Sequence, residues 1–373
     1  MRLVDRLILR ELIGPFIFGV AAFASIFFAG KDLLKIIGDV VKGMPITAAV
    51  ELIALQFPAI LVMVLPMAVL LAVLLALGRL SGESEIITLY AGGISLYRIV
   101  VAVFGLGIAV SVLTFVLNEN IVPQANARSA AIRADLLKED VRVSKPVPLA
   151  DVKKGVTNSI IYVQGGMDVK TKTLKNVHVM LFRDNIAKAF FYAKTAQYER
   201  SRNGDYVWKF HNGYSQSLGP NRESKGQAKH FLVLTQTFGS MDVKFNHTPE
   251  EIEIYQKQAE ELNFNQLLGH IRLLHSRGMP TTEEELDLYN KIAIPFSAFV
   301  FAVLASSLGL RPHRGGSSVG LGLSVLIIFV YWIVWHSMSA FANQGTVPPI
   351  VGSFSASALT LVAGFTLLAK AAR

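Results

Sequence analysis

The chain has 373 residues, of which 52% are hydrophobic and 17% charged, with a mean hydropathy of +0.45. Soluble proteins carry about 25% charged residues, so an ordinary soluble enzyme is excluded. The net charge of +9 is too dilute in so apolar a chain to point to nucleic acid, and the absence of cysteine removes disulfides, thiolate metal sites and a cysteine nucleophile together.

Runs without Asp, Glu, Lys or Arg come first in the chain. Leu12–Gly30, Leu52–Gly78 and Ile99–Asn118 are 19, 27 and 20 residues long. Ile292–Leu310 follows with 19, and Gly315–Ala369 with 55, divided by Ala342–Pro349 into two helix-length pieces. A bilayer core takes about 20 apolar residues as a helix. The pattern therefore predicts six spans, three in residues 1–118 and three in 289–373. The first begins as an amphipathic interfacial segment at Leu3–Leu9, with Asp5, Arg6 and Arg10 on its wet side, and reads as an uncleaved anchor.

Residues 119–288 hold 23 basic and 20 acidic residues and read as a water-exposed region. A helix is expected at Gln124–Glu139. From about 141 to 245 the period changes to two, in runs such as Ser159–Gln164, Asn176–Phe182 and Tyr206–Phe210. Turn signals lie between them at Gly165-Gly166, Arg183–Asn185, Asn203–Asp205 and Gly219–Asn221. This predicts an antiparallel sandwich or open barrel, followed by a polar helical connector from Pro249 to about Ser276. His178, His211, His230 and His247 are scattered and have no metal-ligand spacing.

With the N-terminus inside, nine basic residues of the membrane part fall on the inner side (Arg2, Arg6, Arg10, Arg79, Arg98, Arg311, Arg314, Lys370, Arg373) and four on the outer (Lys31, Lys35, Lys42, Lys291). The positive-inside rule then predicts an inner-membrane protein with both termini cytoplasmic and the central region periplasmic.

No predicted span has an interior acid or base. His336, beside Trp332 and Trp335, reads as an interface residue or an interhelical hydrogen bond rather than a proton relay. A carrier that binds its own driving ion, or an intramembrane enzyme, needs ionisable groups there. The chain also lacks a Gly-x-x-x-x-Gly-Lys-Ser/Thr loop. Any energy must come from another polypeptide.

The inner loop after the second span, Gly78-Arg79-Leu80-Ser81-Gly82-Glu83-Ser84-Glu85-Ile86-Ile87-Thr88-Leu89-Tyr90-Ala91-Gly92-Gly93, predicts a short amphipathic helix at about 81–93. Ser81 is its expected cap, Glu83 and Glu85 stand in its first turn, and Ile86, Leu89 and Tyr90 share a face. Gly92-Gly93 ends it. It is either an interfacial helix at a membrane turn or a rod that docks into a motor subunit.

This loop resembles the hallmark of the YjgP/YjgQ permease family (LptF/LptG). Three other stretches agree: Leu262-Asn263-Phe264-Asn265-Gln266-Leu267, Lys291–Phe296 and Pro348-Pro349, as does the layout of three plus three spans around an outer β-domain. The resemblance implies a lipopolysaccharide-export permease with a β-jellyroll-like outer domain. It implies a cytoplasmic LptB-like ATPase dimer, which binds the ATP and Mg, a second permease copy or paralogue, and LptC/LptA-like periplasmic bridge proteins. The chain itself is then non-catalytic and needs no cofactor. Glu85 stands at the family's coupling glutamate, with Glu83 and Arg79 as neighbours. Lys31, Lys35 and Lys42 lie where the family contacts lipid A phosphates, although lysines snorkelling at a membrane boundary account for them equally. Gly316, Gly320 and Gly322 would allow close helix approach at the fifth span. The alternatives are an ATPase-driven mechanotransmission protein and a secondary transporter, neither of which carries lipopolysaccharide.

Overall fold

The computed structural model describes residues 3–137, 147–153, 156–163, 167–168, 171–183, 186–200, 206–220, 231–243, 248, 252, 259–276, 280–310 and 316–371. Among the described residues, six helices are long and apolar enough to cross a membrane, as predicted. The contacts divide the chain into two compact units. The first comprises Met1–Ser129, Ala259–Leu267 and Thr282–Arg373, and the second Ala130–Gln258 and Leu268–Thr281.

In the first unit, α1 (Leu3–Phe27) runs into a π-turn (Phe28–Asp32) and then α2 (Leu33–Val41). The break is at Gly30, whose ψ of −133° leaves the helical region. α3 (Ile46–Gly82), α4 (Glu85–Ala91) and α5 (Leu96–Val116) follow. A second π-turn (Leu117–Ile121) joins α5 to α6 (Val122–Leu137), so the helix expected at Gln124–Glu139 is an extension of the third span. α7 (Phe264–Ser276) lies in the connector, and α8 (Thr282–Gly309), α9 (Gly316–Asn343) and α10 (Pro349–Ala371) are the last three spans.

α3 and α8 form the centre. Val64 through Leu74 of α3 is buried without interruption, and Leu70, Val73 and Leu77 join Ala298, Phe301 and Ala305 of α8 in one apolar core. Small residues make the approach possible: a Cβ at Gly309 would stand 2.8 Å from Leu77 Cβ, and one at Gly107 of α5 only 2.7 Å from Ala302 Cβ. Atoms do not approach so closely without displacement. Gly320 of α9 lies against the Leu74 carbonyl of α3, as the small-residue reading expected, but Gly322 has nothing within 4 Å.

Ile8 and Leu12 of α1 are buried in the same core. The segment expected to lie apart at Leu3–Leu9 is the first two turns of α1. Its acid is not on a wet face: Asp5 accepts a hydrogen bond from Arg98 at 2.6 Å. The apolar period of the first span continues to its start, so the helix need not bend onto the interface.

The second unit is a seven-stranded antiparallel sheet in the order β1-β2-β4-β5-β6-β7, with β3 paired to β4. The strands are β1 (Val147–Lys153), β2 (Val156–Val163), β3 (Met167–Asp168), β4 (Thr173–Arg183), β5 (Ile186–Arg200), β6 (Tyr206–Pro220) and β7 (Phe231–Val243). Alternation puts Ile161, Val163, Val177, Val179, Trp208 and Phe210 on one face, where Leu274 of α7 and Ile252 join them. Tyr162, His178, Tyr192 and Tyr214 line the other, cross-strand neighbours with successive ring centroids 4.9 to 6.3 Å apart. Of the predicted turns, 165–166, 184–185, 203–205 and 221 lie outside the described residues, as do His230 and His247.

Candidate functional site

α3 does not stop at Ser81. Its last turn runs to Gly82, with Glu83 at its C-terminal cap donating its N–H to the Arg79 carbonyl at 2.9 Å. Ser84 then takes φ +62°, the left-handed conformation that commonly reverses a chain after a helix. The residue at the start of α4 is therefore Ser84 and not Ser81, and Glu83 belongs to the junction rather than to the first turn of α4. The shift arises because the apolar run of α3 carries one turn further, with Leu80 and Ser81 both buried. Glu85 is in the first turn of α4, as expected, where a carboxylate suits the partial positive charge of the free amides.

The end of α4 follows the glycine reading. Gly93 has φ +81°, its N–H meets the Tyr90 carbonyl at 2.9 Å and the Ile94 N–H meets that of Leu89 at 3.0 Å. These two bonds satisfy the last carbonyls of the helix. Ile86 is buried and seats α4 on the bundle, whereas Glu83, Glu85 and Ile87 are exposed. The result is a seven-residue rod, capped firmly at its end, fixed by Ile86 and the partly buried Leu89 and presenting an acidic start. Arg79 is exposed and forms an ion pair with Glu11 of α1, so it ties the base of the first span to the second.

At the other end of α1, the Lys31 side chain lies outside the described residues. Lys35 on α2 and Lys42 in the turn before α3 are exposed. Buried Ile36 and Asp39 of α2 turn inward, and the Asp39 carbonyl receives the Met44 N–H at 3.1 Å. The tight turn runs through Gly43 at φ +103°. Nearby, Glu51 of α3 pairs with Arg128 of α6 at 2.9 Å.

Within the spans, Tyr331 of α9 and Ser357 of α10 share a hydrogen bond of 2.9 Å. His336 is exposed and stacks on Trp332 and Trp335, with ring centroids 5.5 and 4.8 Å away. No cluster of metal-ligating side chains occurs among the described residues. In the second unit, burial holds His178 and His270 below the ordinary histidine range.

Several polar groups escaped sequence reasoning. Asp5–Arg98 and Glu11–Arg79 join residues 93 and 68 positions apart, beyond any local pattern. Glu119 accepts the Phe264 N–H from 145 positions away. Asn263 and Gln266 form a reciprocal cap that sequence reasoning also passed over, although their i, i+3 spacing is the signal for one: Gln266 N–H donates to Asn263 Oδ1 at 2.9 Å, and Asn263 N–H to Gln266 Oε1 at 3.0 Å.

A bundle of six apolar helices with an inserted antiparallel β unit, and a short exposed helix between its second and third spans, defines a multi-span membrane protein rather than a soluble domain. Residues 6–370 match the family lipopolysaccharide export system permease LptF/LptG, and the chain belongs to that family. It is 25% identical over 311 residues to the lipopolysaccharide export system permease protein LptG of Escherichia coli K12, covering 82% of this chain and 81% of that one. LptG of Haemophilus influenzae is 24% identical over 314 residues, with 82% and 81% covered. LptF of Escherichia coli K12 is 20% identical over 371 residues, with 98% and 94% covered. The chain is accordingly a permease subunit of the lipopolysaccharide export transporter.

Proposed function

We propose that this permease sits in the inner membrane with both termini cytoplasmic, takes lipopolysaccharide from the outer leaflet and passes it through its periplasmic β unit to a protein bridge. The observation that carries the reading is α4: a short capped helix held by Ile86, with Glu85 exposed at its start. A separate cytoplasmic ABC ATPase dimer binds ATP and Mg and pushes on this rod. Glu85 makes the docking contact, Glu83 stands beside it, and Arg79, through Glu11, relays the movement to α1. The permease performs no chemistry of its own.

A second permease, a copy or a paralogue, packs against α1 and α9, whose apolar faces are exposed at Ile13, Ile17, Phe18, Leu326, Phe329 and Val330. Lys31, Lys35 and Lys42 meet the phosphates of the lipid at the outer end of α1. The exposure of Lys35 supports this, since an exposed ammonium keeps its charge available to an anion. The domain division follows as membrane helices in 1–118 and 289–373, and a periplasmic region in 119–288.

The test is reconstitution of the permease with its ATPase in liposomes loaded with lipopolysaccharide. Wild type should release lipid to the periplasmic acceptor only with ATP. Glu85→Ala should insert normally and release about a tenth as much or less. Release that persists undiminished in Glu85→Ala removes the docking role, and release driven by a proton gradient without ATP removes the ATPase-driven reading.

A further inference from the structure

The connector motif Leu262–Leu267 is fastened to the third and fourth spans. Glu119 lies inside the π-turn between α5 and α6, and both of its carboxylate oxygens stand 2.9 Å from the Phe264 N–H, the first amide of α7. That amide has no partner within its own helix, and a carboxylate at a helix start is doubly favourable. Asn263 and Gln266 cap the same turn reciprocally. Leu262 and Leu267 are buried on either side. Asn126 of α6 donates to the Glu260 carbonyl at 3.1 Å, a second tie between α6 and the segment before α7.

The fourth span contributes a cation. Lys291 of α8 is 7% exposed. Its backbone carbonyl faces the Asn118 side-chain amide at 3.5 Å. The same α7 continues to Leu273 and Leu274, which pack into the apolar face of the β-sheet.

We propose that Glu119 is a positioning residue for export: its bond to the Phe264 amide makes the start of α7 move with the third and fourth spans. The movement set up by the ATPase is thereby delivered to the β unit. This rests on the ATPase-driven reading given above. Glu119 touches no lipid in this scheme, and it acts through the helix that it caps.

The chain has no cysteine, so pairs of introduced cysteines take spin labels selectively. The full complex with its ATPase, in nanodiscs, carries one label at Gln124 of α6 and one at Thr237 of β7, both exposed in the chain. A second pair, Lys194 and Thr237, reports on the β unit alone. In wild type, the first distance should shift between the ATP-bound and nucleotide-free states, and the second should not. Glu119→Ala should abolish that shift and lower lipid release at least fivefold, with ATP hydrolysis and the second distance kept. Glu119→Gln keeps an acceptor for the amide and should restore most of both. Should Glu119→Ala not accumulate in membranes, Asn263→Ala loosens the same turn from its other side and should diminish the shift. A full shift and full release in Glu119→Ala, or in Asn263→Ala where that variant stands in, overturn the proposal. Absence of ATP-dependent release in wild type would instead remove the ATPase-driven reading itself.

Discussion

α3 and α9 are both apolar spans, yet they occupy opposite situations. α3 is buried through eleven consecutive positions, from Val64 to Leu74, by α1, α5, α8 and α9. α9 has Tyr331 and Ser324 buried but leaves Leu326, Phe329 and Val330 more than half exposed. A helix apolar all round is stable in a bilayer either way, because lipid tails solvate it as well as neighbouring leucines do. The difference is therefore one of tolerance: the centre of the bundle is fixed by shape, and its periphery by whatever it must meet.

The largest effects should separate these two regions. Glu85→Ala, on the exposed α4, should reduce export about tenfold or more, the size of a lost coupling free energy, with normal amounts of protein in the membrane. Measured by lipid release and immunoblot, a loss of protein together with export would erase the distinction. Gly309→Val, between α8 and α3, should do the reverse: overpacking costs about 1–3 kcal/mol, and the protein level and thermal midpoint should both fall. If Gly309→Val folded as well as wild type, the centre would not be shape-limited.

Smaller effects sharpen the picture of the periphery. Lys35→Gln and Lys42→Gln should each weaken lipopolysaccharide binding by about fivefold at most, as exposed charges do. The loss should shrink as salt is raised, and binding titrations at two ionic strengths check it. His270, 7% exposed at the middle of α7, is held below the ordinary histidine range by burial. Its unfolded form takes up a proton below about pH 6.5, and its folded form does so only at lower pH. The stability it contributes is then complete above that value and declines as the pH falls through the window between the two. Thermal unfolding of the second unit should be lower at pH 5.5 than at 7.5, by a margin that His270→Gln reduces. The smallest change is expected at Gly322, with nothing within 4 Å, where alanine should raise helix stability by about 0.5–1 kcal/mol.

The spans were legible because a 20-residue run without charge has few other uses, and the strands because side chains alternate in period two. The start of α4 was misplaced by one turn. Ser81 is a good cap by type, but Leu80 and Ser81 have buried neighbours that only the folded bundle supplies, and the reversal fell to Ser84 in a conformation that serine adopts rarely. Asp5 read as wet because its partner, Arg98, lies in another helix, and the Glu11–Arg79 pair went unread for the same reason. Glu85 was visible because its capping chemistry is local, and the exposure of Lys35 and Lys42 fits their placement outside the apolar runs. Glu119 was invisible for the opposite reason, since its partner is an amide far along the chain.

The π-turn at Leu117–Ile121 has a further consequence for insertions and deletions. A residue added to an α-helix rotates everything after it by about 100°, and a π-turn accommodates such a residue without breaking the helix. Removing one residue between Leu117 and Ile121 would leave an ordinary, uninterrupted helix with its hydrogen bonds intact. It would also swing α6 by more than a quarter of a revolution about its axis, and carry Asn126 away from the Glu260 carbonyl. Phase, rather than composition, is what this short segment encodes: a chain one residue shorter here would keep its apolar profile along the sequence and lose its alignment to the connector.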